Sequence, residues 1–259
     1  MSEIAEPQRA PIPERVRPTP SAFRKEFERP HRPVLVRGLL DDWPALQSWS
    51  VDGLAEQHGN AVVSVAMRDR EDSAFFSHQS MKLSAYVALL RDPEKRRLYY
   101  LSDAPFEKQV PDLAHDVRKP TLAPPHPRTA LWISTTGKRS YTHFDVDHSL
   151  LSQVVGKKRI YLMSPRHQSE LYVSPLRDKS WPQSPVNLAA VDLKRFPRMA
   201  RAEILECVIG PGDVLFIPSL WWHQVESLED SISVSFHWEG LRGRLVRFGL
   251  SLLGRPYAS

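Results

Sequence analysis

Two histidines and one aspartate are the residues of this sequence best suited to chemistry. His143 and Asp145 lie two positions apart in the segment THFDVDH (142–148), and His223 follows two tryptophans in WWHQV. Side chains two positions apart on a β-strand point to the same face, so an imidazole and a carboxylate can meet one ion there. Two imidazoles and a carboxylate occupy one face of an octahedral metal and leave three positions open. This donor set is typical of non-haem Fe(II) sites that work with oxygen.

Other residues of the same strands are weaker candidates. Asp147 shares the parity of Asp145 and would become a ligand only if the register shifted, whereas the adjacent His148 points to the opposite face. His237, on the last predicted strand, is expected to line the pocket without binding metal. The alternative for the three main candidates is that they are structural polar residues satisfied by hydrogen bonds.

The lysine that begins the predicted strand KRIYLM (158–163) is a candidate for binding an anion. Lys158 shares its strand face with Ile160 and Leu162, and this face is otherwise apolar, so it should point inward. A buried ammonium without an anion is costly, and a dicarboxylate co-substrate would satisfy it. The alternative is that Lys158 reaches solvent at the end of the strand.

The composition limits the class of protein. The chain has 259 residues, 41% hydrophobic and 25% charged, which suits one soluble domain with a sizeable core. Its single cysteine, Cys207, excludes an internal disulfide framework and fits a reducing compartment. The N-terminal region has no signal-peptide pattern and no apolar stretch could span a membrane, so we expect a cytoplasmic protein. The net charge of +5 permits an acidic partner, nucleic acid included, without requiring one.

The chain divides into three parts. Prolines and scattered charges predict a flexible arm over residues 1–20. Residues 21–239 are predicted to form one catalytic domain, with helices mainly in its first half and many short strands from Leu131 onward, as in a β-sandwich or barrel. Within it, SLLSQVV and KRIYLM are predicted to form a hairpin that turns at Gly156.

Residues 240–259 are predicted to form an amphipathic helix with two apolar stripes. The first stripe contains Leu241, Leu245, Phe248 and Leu252, and the second, roughly opposite, contains Val246, Leu250 and Leu253. A helix that is apolar on two sides can pack on its own domain and on a second copy of the chain, so the helix is a candidate homodimer element. The alternative is a helix enclosed between the barrel and the N-terminal helices.

Taken together, these segments resemble the JmjC-like cupin hydroxylases, which are Fe(II)- and 2-oxoglutarate-dependent oxygenases built on a double-stranded β-helix (a jelly-roll or cupin fold). The resemblance is strongest to the group that contains the asparaginyl hydroxylase of hypoxia-inducible factor and the tRNA wybutosine hydroxylase, and it covers about residues 21–240. The segments that carry it are RPVLVRGLLDDWPAL, MKLSAYVALL, RLYYLSD, THFDVDHSLLSQVVGKKRIYLMSP and GPGDVLFIPSLWWHQVESL.

The resemblance implies a role for each of several residues. It implies that the iron ligands are His143, Asp145 and His223. It further implies that Lys158 pairs with the distal carboxylate of 2-oxoglutarate and that Tyr100 supports this carboxylate, although the neighbouring Tyr99 leaves the register open by one residue. Ser140 stands where relatives often have a threonine that contacts the co-substrate. Ser235 and Ser149 each replace a frequent asparagine near the metal, and these departures put the polar contacts close to the iron in doubt.

The implied reaction is oxidative decarboxylation of 2-oxoglutarate, with molecular oxygen, coupled to hydroxylation of a substrate. We expect the substrate to be an amino-acid side chain in a protein or peptide. The alternatives are a modified nucleoside in RNA, a small molecule, or a non-catalytic binding module with a vestigial metal site. Between Arg177 and Arg201, six basic residues against two acidic ones suit an acidic peptide or an RNA backbone, and equally a solvated loop. Trp181 in this segment is expected to stack on a substrate group or to anchor the loop.

Overall fold

The structure, a computed structural model, describes residues 6–68, 77–174 and 182–253. Fifteen strands lie in this part of the chain: β1 (Gln8–Pro11), β2 (Glu14–Val16), β3 (Val34–Arg37), β4 (Val62–Met67), β5 (Ser77–Lys82), β6 (Tyr99–Ala104), β7 (Arg128–Ser134), β8 (Thr142–His143), β9 (Asp147–Val155), β10 (Lys158–Met163), β11 (Gln183–Ser184), β12 (Glu203–Ile209), β13 (Val214–Ile217), β14 (Trp222–Ser227) and β15 (Ser231–Glu239).

The helices flank these strands. They are α1 (Pro20–Phe23), continued by a π-helical turn over Arg24–Glu28, α2 (Ala45–Ser48), α3 (Val51–His58), α4 (Leu83–Arg91), α5 (Phe106–Gln109) and α6 (Leu241–Leu252). Three 3-10 helices cover Pro111–His115, Pro165–Leu171 and Pro197–Arg201. Within the described ranges, no helix combines the length and the apolar character that crossing a bilayer requires.

The strands form two sheets whose inner faces are packed together. The larger sheet has the order β2-β3-β13-β9-β15-β7-β6-β4-β5, and the smaller has the order β1-β12-β10-β14-β8-β11. Four central strands of each sheet (β13-β9-β15-β7 and β12-β10-β14-β8) are antiparallel. Along the chain these eight strands cross from one sheet to the other at every step except from β10 to β12, which are neighbours in the smaller sheet. This topology is a jelly roll, so the predicted double-stranded β-helix with flanking helices is confirmed.

Strand alternation sorts the apolar residues into three clusters. The largest cluster lies between the outer face of the larger sheet and helices α1–α4, and it includes Phe23, Tyr86 and Phe216. A second covers the outer face of the smaller sheet, around Trp222. The third fills the space between the sheets with residues such as Ile160 and leaves a polar region beside it. The inward-facing positions therefore hold the candidate site.

The predicted hairpin between SLLSQVV and KRIYLM is wrong. β9 pairs with β13 and β15 in the larger sheet, whereas β10 pairs with β12 and β14 in the smaller one. The turn at Gly156 therefore carries the chain from one sheet to the other. Gly156 has a φ of +68°, and a Cβ there would lie 2.1 Å from the Asp230 carbonyl oxygen, so only glycine fits. Two adjacent strands with a turn between them match both topologies, and the sequence pattern alone does not separate them.

The N-terminal segment also differs from the predicted flexible arm. β1 pairs in parallel with β12 of the smaller sheet, and β2 pairs in parallel with β3 of the larger sheet. Between them, the side chain of Ile12 is 3% exposed and packs in the cluster between the sheets. Proline-rich composition predicts disorder only where no sheet edge is available to pair with the remaining N–H and C=O groups.

The C-terminal helix packs on the domain through one of its two stripes. In α6, Leu250 is 6% exposed and Val246 packs on the cluster that covers the smaller sheet, whereas the first stripe, from Leu241 to Leu252, faces solvent. Leu253, at the end of the second stripe, is 64% exposed and does not pack with the other two. Gly243 brings the helix so close that a Cβ would lie 1.8 Å from the Val146 carbonyl oxygen. The helix therefore lies directly against the chain that follows Asp145.

Candidate metal centre

The three predicted ligands come together at one end of the space between the sheets. His143 on β8 pairs directly with His223 on β14, so both imidazoles point to the inner face, and Asp145 follows two residues after β8. One potential ligand atom from each residue lies within 4.8 Å of the others. The Nε2 atom of His223 is 3.7 Å from an Asp145 carboxylate oxygen, and the two imidazole centroids are 4.2 Å apart.

Hydrogen bonds to the main chain orient both imidazoles. The Nδ1 atom of His143 lies 2.8 Å from the carbonyl oxygen of Tyr141, and that of His223 lies 3.0 Å from the carbonyl oxygen of Trp221. A carbonyl oxygen can only accept, so each Nδ1 carries the proton and each Nε2 keeps a free lone pair. Metal-ligating histidines are typically held in this way. The donor set therefore fits a divalent metal ion.

The protonation states also fit metal binding. Burial, together with the neighbouring His143, lowers the pKa of His223 to about 4, so this imidazole is neutral at pH 7. Burial on its own would raise the pKa of Asp145, but the adjacent His223 and His143 outweigh it and hold the pKa of the carboxyl below its ordinary value. At neutral pH the site thus presents a neutral His223 imidazole and a carboxylate, both ready to donate lone pairs.

The two competing residues, Asp147 and His148, have other partners in the structure. Asp147 forms an ion pair with Arg247 of α6 at 3.0 Å. The Nδ1 atom of buried His148 accepts the main-chain N–H of Ser219, and its ring packs 5.0 Å from that of His31. Neither residue belongs to the group that could hold a metal ion.

Lys158 is enclosed between the sheets. Its side chain is 1% exposed, so the alternative of escape to solvent is excluded. The Nζ atom donates to the Ser233 hydroxyl at 2.7 Å, and Ser233 in turn donates to the Oε1 atom of Gln153 at 2.7 Å. Burial lowers the pKa of the Lys158 ammonium to about 7. No carboxylate of the described residues pairs with this ammonium, so the enclosed lysine is suited to binding an anion.

The two adjacent tyrosines of β6 lie on different sides of the sheet. Tyr99 packs against the cluster that includes the helices. The ring of Tyr100 lies 5.9 Å from that of Trp132, which packs on the cluster between the sheets. Of the two tyrosines, Tyr100 is therefore the one on the side of the larger sheet that faces the space between the sheets.

The predicted serines have defined partners. The Ser140 hydroxyl donates to the Tyr141 carbonyl oxygen and accepts the N–H of Val225, so it joins β14 to the chain just before β8. Buried Ser235 accepts the indole N–H of Trp132 at 2.6 Å and lies 2.7 Å from the Nε2 atom of His237. His237 is close enough to Asp145 and His223 to affect the pKa of each, so its partner Ser235 lies towards the metal ligands. The Ser140 hydroxyl proton is already used by the main chain.

One inward-facing residue was missed by the sequence analysis. Gln183 on β11 lies opposite His143, so its side chain and the imidazole share one face of the sheet. Its amide oxygen is buried and has no hydrogen-bond partner among the residues that the structure describes. Gln183 sits in the long segment between Lys158 and His223, where no strand pattern fixes which side chains point inward.

Residues 182–201 of the basic segment before β12 are among the described residues. The guanidinium of Arg198 stacks on the Tyr172 ring at 3.9 Å, and that of Arg195 lies 5.0 Å from the centroid of Phe196. These cations lie on the outer side of the smaller sheet, where Tyr172 and Phe196 pack. The remaining residues named in the sequence analysis, Arg177, Lys179 and Trp181, lie outside the described residues.

A jelly roll with two histidines and one carboxylate between its sheets is a cupin. The sequence profile described as "Cupin-like domain" matches residues 20–242, and the chain therefore belongs to the cupin-like JmjC family. The chain also matches curated proteins of this kind.

Three relatives show the range of the family. Lysine-specific demethylase 8 of Danio rerio is 34% identical over 232 residues, covering 85% of this chain and 56% of that protein. The corresponding protein of Xenopus tropicalis is 30% identical over 230 residues, covering 85% of this chain and 51% of that protein. The tRNA wybutosine-synthesizing protein 5 of Danio rerio is 30% identical over 241 residues, covering 85% of this chain and 72% of that protein. The chain thus spans about half the length of its demethylase relatives and more of the wybutosine-synthesizing one.

Proposed function

We propose that this protein is an Fe(II)- and 2-oxoglutarate-dependent dioxygenase that hydroxylates an amino-acid side chain in a protein or peptide. The observation that carries this proposal is the pairing of two features between the same sheets. One is the facing pair His143 and His223 with Asp145 beside them, and the other is the enclosed ammonium of Lys158. A metal site alone would fit many enzymes, whereas a metal site with a buried cation fits one that also binds a dicarboxylate.

The proposed function assigns the side chains separate roles in binding the metal and the co-substrate. His143, Asp145 and His223 would hold the iron through two Nε2 atoms and a carboxylate oxygen, and their position on one side leaves the opposite side open. When bound there, ferrous iron would activate molecular oxygen, of which one atom would enter succinate as 2-oxoglutarate loses carbon dioxide and the other would enter the substrate as a hydroxyl group. Lys158 would bind the distal carboxylate, with Tyr100 beside it.

The fold also keeps water away from the Lys158 end of the site. Leu151, Ile160, Leu162 and Leu215 pack between the sheets beside Lys158, each no more than 8% exposed. Exclusion of water strengthens the attraction between the ammonium and a carboxylate.

A polypeptide substrate is supported by the relatives named lysine-specific demethylase 8. Removal of a methyl group from lysine begins with hydroxylation of the N-methyl carbon, so hydroxylation is the chemistry that a demethylase and a side-chain hydroxylase share. The alternative, hydroxylation of a modified nucleoside in RNA, is supported by the relative named tRNA wybutosine-synthesizing protein 5 and by the net charge of +5. A nucleic-acid complex would weaken steeply with salt, because phosphate contacts release counterions.

The test is succinate release from 2-oxoglutarate by the purified protein with Fe(II), against separate peptide, RNA and metabolite pools. The proposal predicts slow release without substrate, stimulation by the peptide pool, and a peptide product heavier by one oxygen atom. Stimulation by RNA alone, lost as salt rises, would support the nucleoside alternative instead.

Two variants and a matched control make this test specific. His143→Ala and Asp145→Ala are expected to abolish metal-dependent succinate release. His115→Ala serves as the control, since His115 is an exposed histidine at the end of the 3-10 helix Pro111–His115. Full release in both site variants would contradict the metal assignment.

We also propose that α6 joins two copies of the chain through its solvent-facing stripe. In support, Leu241, Leu245, Phe248 and Leu252 are each more than 60% exposed along one side of the helix. Apolar patches of this kind on a soluble protein often mark an interaction site.

A further inference from the structure

Three buried side chains form one hydrogen-bonded chain between the two sheets. The Nζ atom of Lys158 lies 2.7 Å from the Ser233 hydroxyl, which lies 2.7 Å from the Oε1 atom of Gln153. Lys158 is 1% exposed, and Ser233 and Gln153 are fully buried. Because water does not reach them, each of these hydrogen bonds is part of the structure rather than an exchangeable surface contact.

The direction of every hydrogen bond in this chain is fixed. The Nε2 atom of Gln153 donates to the carbonyl oxygens of Val155 at 2.6 Å and Gly156 at 3.0 Å. Carbonyl oxygens only accept, so the amide nitrogen faces them and Oε1 must be the acceptor that faces Ser233. The Ser233 hydroxyl therefore donates to Gln153, and its oxygen is left to accept from Lys158.

This direction favours one form of the lysine. Ser233 can accept from either form, but the hydrogen bond from the ammonium is charge-assisted and stronger. A neutral amine would also leave its lone pair unsatisfied, because Ser233 has no proton left to donate to it. A hydrogen bond to the charged form favours that form and opposes the effect of burial. The ammonium uses one of its three N–H groups on Ser233, and the other two remain for a ligand.

The Gln153 end of this hydrogen-bonded chain is held rigidly. Val155 and Gly156 lie at the turn that crosses from the larger to the smaller sheet, and Gly156 is in close contact with the Asp230 carbonyl oxygen. The Gln153 amide is therefore held by main chain whose position the fold itself determines. The lysine, with four rotatable bonds of its own, gains a fixed position at the far end of this chain.

We propose that Gln153 and Ser233 are positioning residues of the anion site, which orient the Lys158 ammonium towards the co-substrate carboxylate and keep it in its donor form. The inference rests on the proposed function for the identity of the anion. Neither residue is expected to touch the reacting atoms. Their effect is on co-substrate affinity and on the protonation of the lysine.

The test compares Ser233→Ala and Gln153→Leu with Ser231→Ala. Ser231 is equally buried on the same inner face of β15, but its hydroxyl bonds to Ser134 and not to the lysine chain, so it is a matched control. Calorimetry with the Mn(II)-loaded protein gives the affinity for 2-oxoglutarate, and steady-state kinetics with Fe(II) separate KM from kcat. Both chain variants are expected to weaken 2-oxoglutarate binding about ten-fold or more, with little change in kcat at saturation or in Mn(II) affinity.

A second readout needs no co-substrate. The pKa of Lys158, followed by NMR of lysine labelled at the ε-carbon, should fall in Ser233→Ala and in Gln153→Leu and stay unchanged in Ser231→Ala. Ser233→Thr, which keeps the hydroxyl, should restore both the affinity and the titration. If one of the variants does not fold, the other still carries the test.

The outcomes separate this inference from the proposed function. If wild-type protein binds no 2-oxoglutarate while the Lys158 titration shifts as expected, the proposed function fails and the positioning role stands. Suppose instead that 2-oxoglutarate binds, and that Ser233→Ala and Gln153→Leu each have the wild-type affinity for it and the wild-type pKa of Lys158. The positioning role is then overturned.

Discussion

Gln183 lies directly opposite His143 across the short β8–β11 pair, and its buried amide oxygen has no hydrogen-bond partner in the described part of the chain. An unsatisfied buried polar group costs about 1–3 kcal/mol of stability, so a site that keeps one gains from it in another way. Its place beside a candidate ligand suggests that a substrate group completes the hydrogen bond. Gln183→Leu should therefore raise the free energy of unfolding by about 1 kcal/mol, or the Tm by about 2–4 °C, because the leucine needs no partner.

The same variant should lose activity on the substrate. Substrate-stimulated succinate release is expected to fall at least ten-fold, while release without substrate and metal affinity stay at wild-type values. A lower Tm would show that Gln183 is an ordinary structural residue, and unchanged stimulated release would assign substrate recognition to other side chains.

Lys158 should limit the stability of the ligand-free protein. Burial lowers its pKa from 10.5 to about 7, so between these values the unfolded chain holds a proton that the folded chain has released. Stability from this group therefore rises as pH increases from 7 to 10.5, and the full cost of the buried charge is present below pH 7. Lys158→Met should stabilise the metal-free protein at pH 7 by a few kcal/mol in urea unfolding and remove this part of the pH dependence.

Lys158→Met should also abolish 2-oxoglutarate binding without changing metal affinity. Arg159, the next residue, points to the exposed face of β10 and supplies the control Arg159→Met, for which neither effect is expected. Equal 2-oxoglutarate affinity in Lys158→Met and wild type would assign the anion site to another residue.

His148 should contribute to acid unfolding. Burial, with the neighbouring His31 and Arg242, lowers the pKa of His148 to about 4 from an ordinary 6.5. The unfolded chain therefore takes up a proton first as the pH falls, so the contribution of His148 to stability is complete above pH 6.5 and is lost towards pH 4. This loss is about 3 kcal/mol for a side chain only 3% exposed.

His148→Asn keeps an acceptor for the Ser219 N–H but does not titrate in this range. Urea unfolding between pH 4 and 7 should show a shallower loss of stability for this variant than for wild type. A slope identical to that of wild type would mean that other groups account for the acid sensitivity.

The two stripes of α6 should respond differently to a charge. Leu245 is 61% exposed and belongs to the solvent-facing stripe. Leu245→Glu should therefore convert a dimer to a monomer, as measured by light scattering, while leaving the Tm nearly unchanged. Leu250→Glu, which buries a carboxylate, should lower the Tm by several degrees whatever the assembly state. A wild-type monomer at high concentration would contradict the proposed pairing.

The strand period of two explains why much of the site could be predicted from sequence. It places His143 with Asp145, and Lys158 with Ile160 and Leu162, on inward faces, and the structure has His143 and Lys158 there. Which strands become neighbours is a different matter, because it depends on the sheet to which each strand belongs. The predicted hairpin failed for this reason, since β9 and β10 have the same patterns in either topology.

Other features lie beyond any local pattern. Gln183 faces inward only because the β8–β11 pair sets its register, and no periodicity of its own segment indicates it. Likewise, both stripes of α6 are apolar, and the one that packs is chosen by the fit of Gly243 against Val146. Close approach of two backbones is a property of the assembled fold.

The N-terminal strands β1 and β2 have a consequence for solubility. Each forms an outermost strand of one sheet and covers an edge, on β12 and on β3, that would otherwise be open to another chain. The same segment is rich in proline, which has no N–H to offer a further strand, as at Pro11 and Pro13. A proline content that suggests disorder thus makes these strands poor templates for aggregation, so a chain shortened to begin at Ser21 should expose two sheet edges and aggregate even with its metal ligands intact.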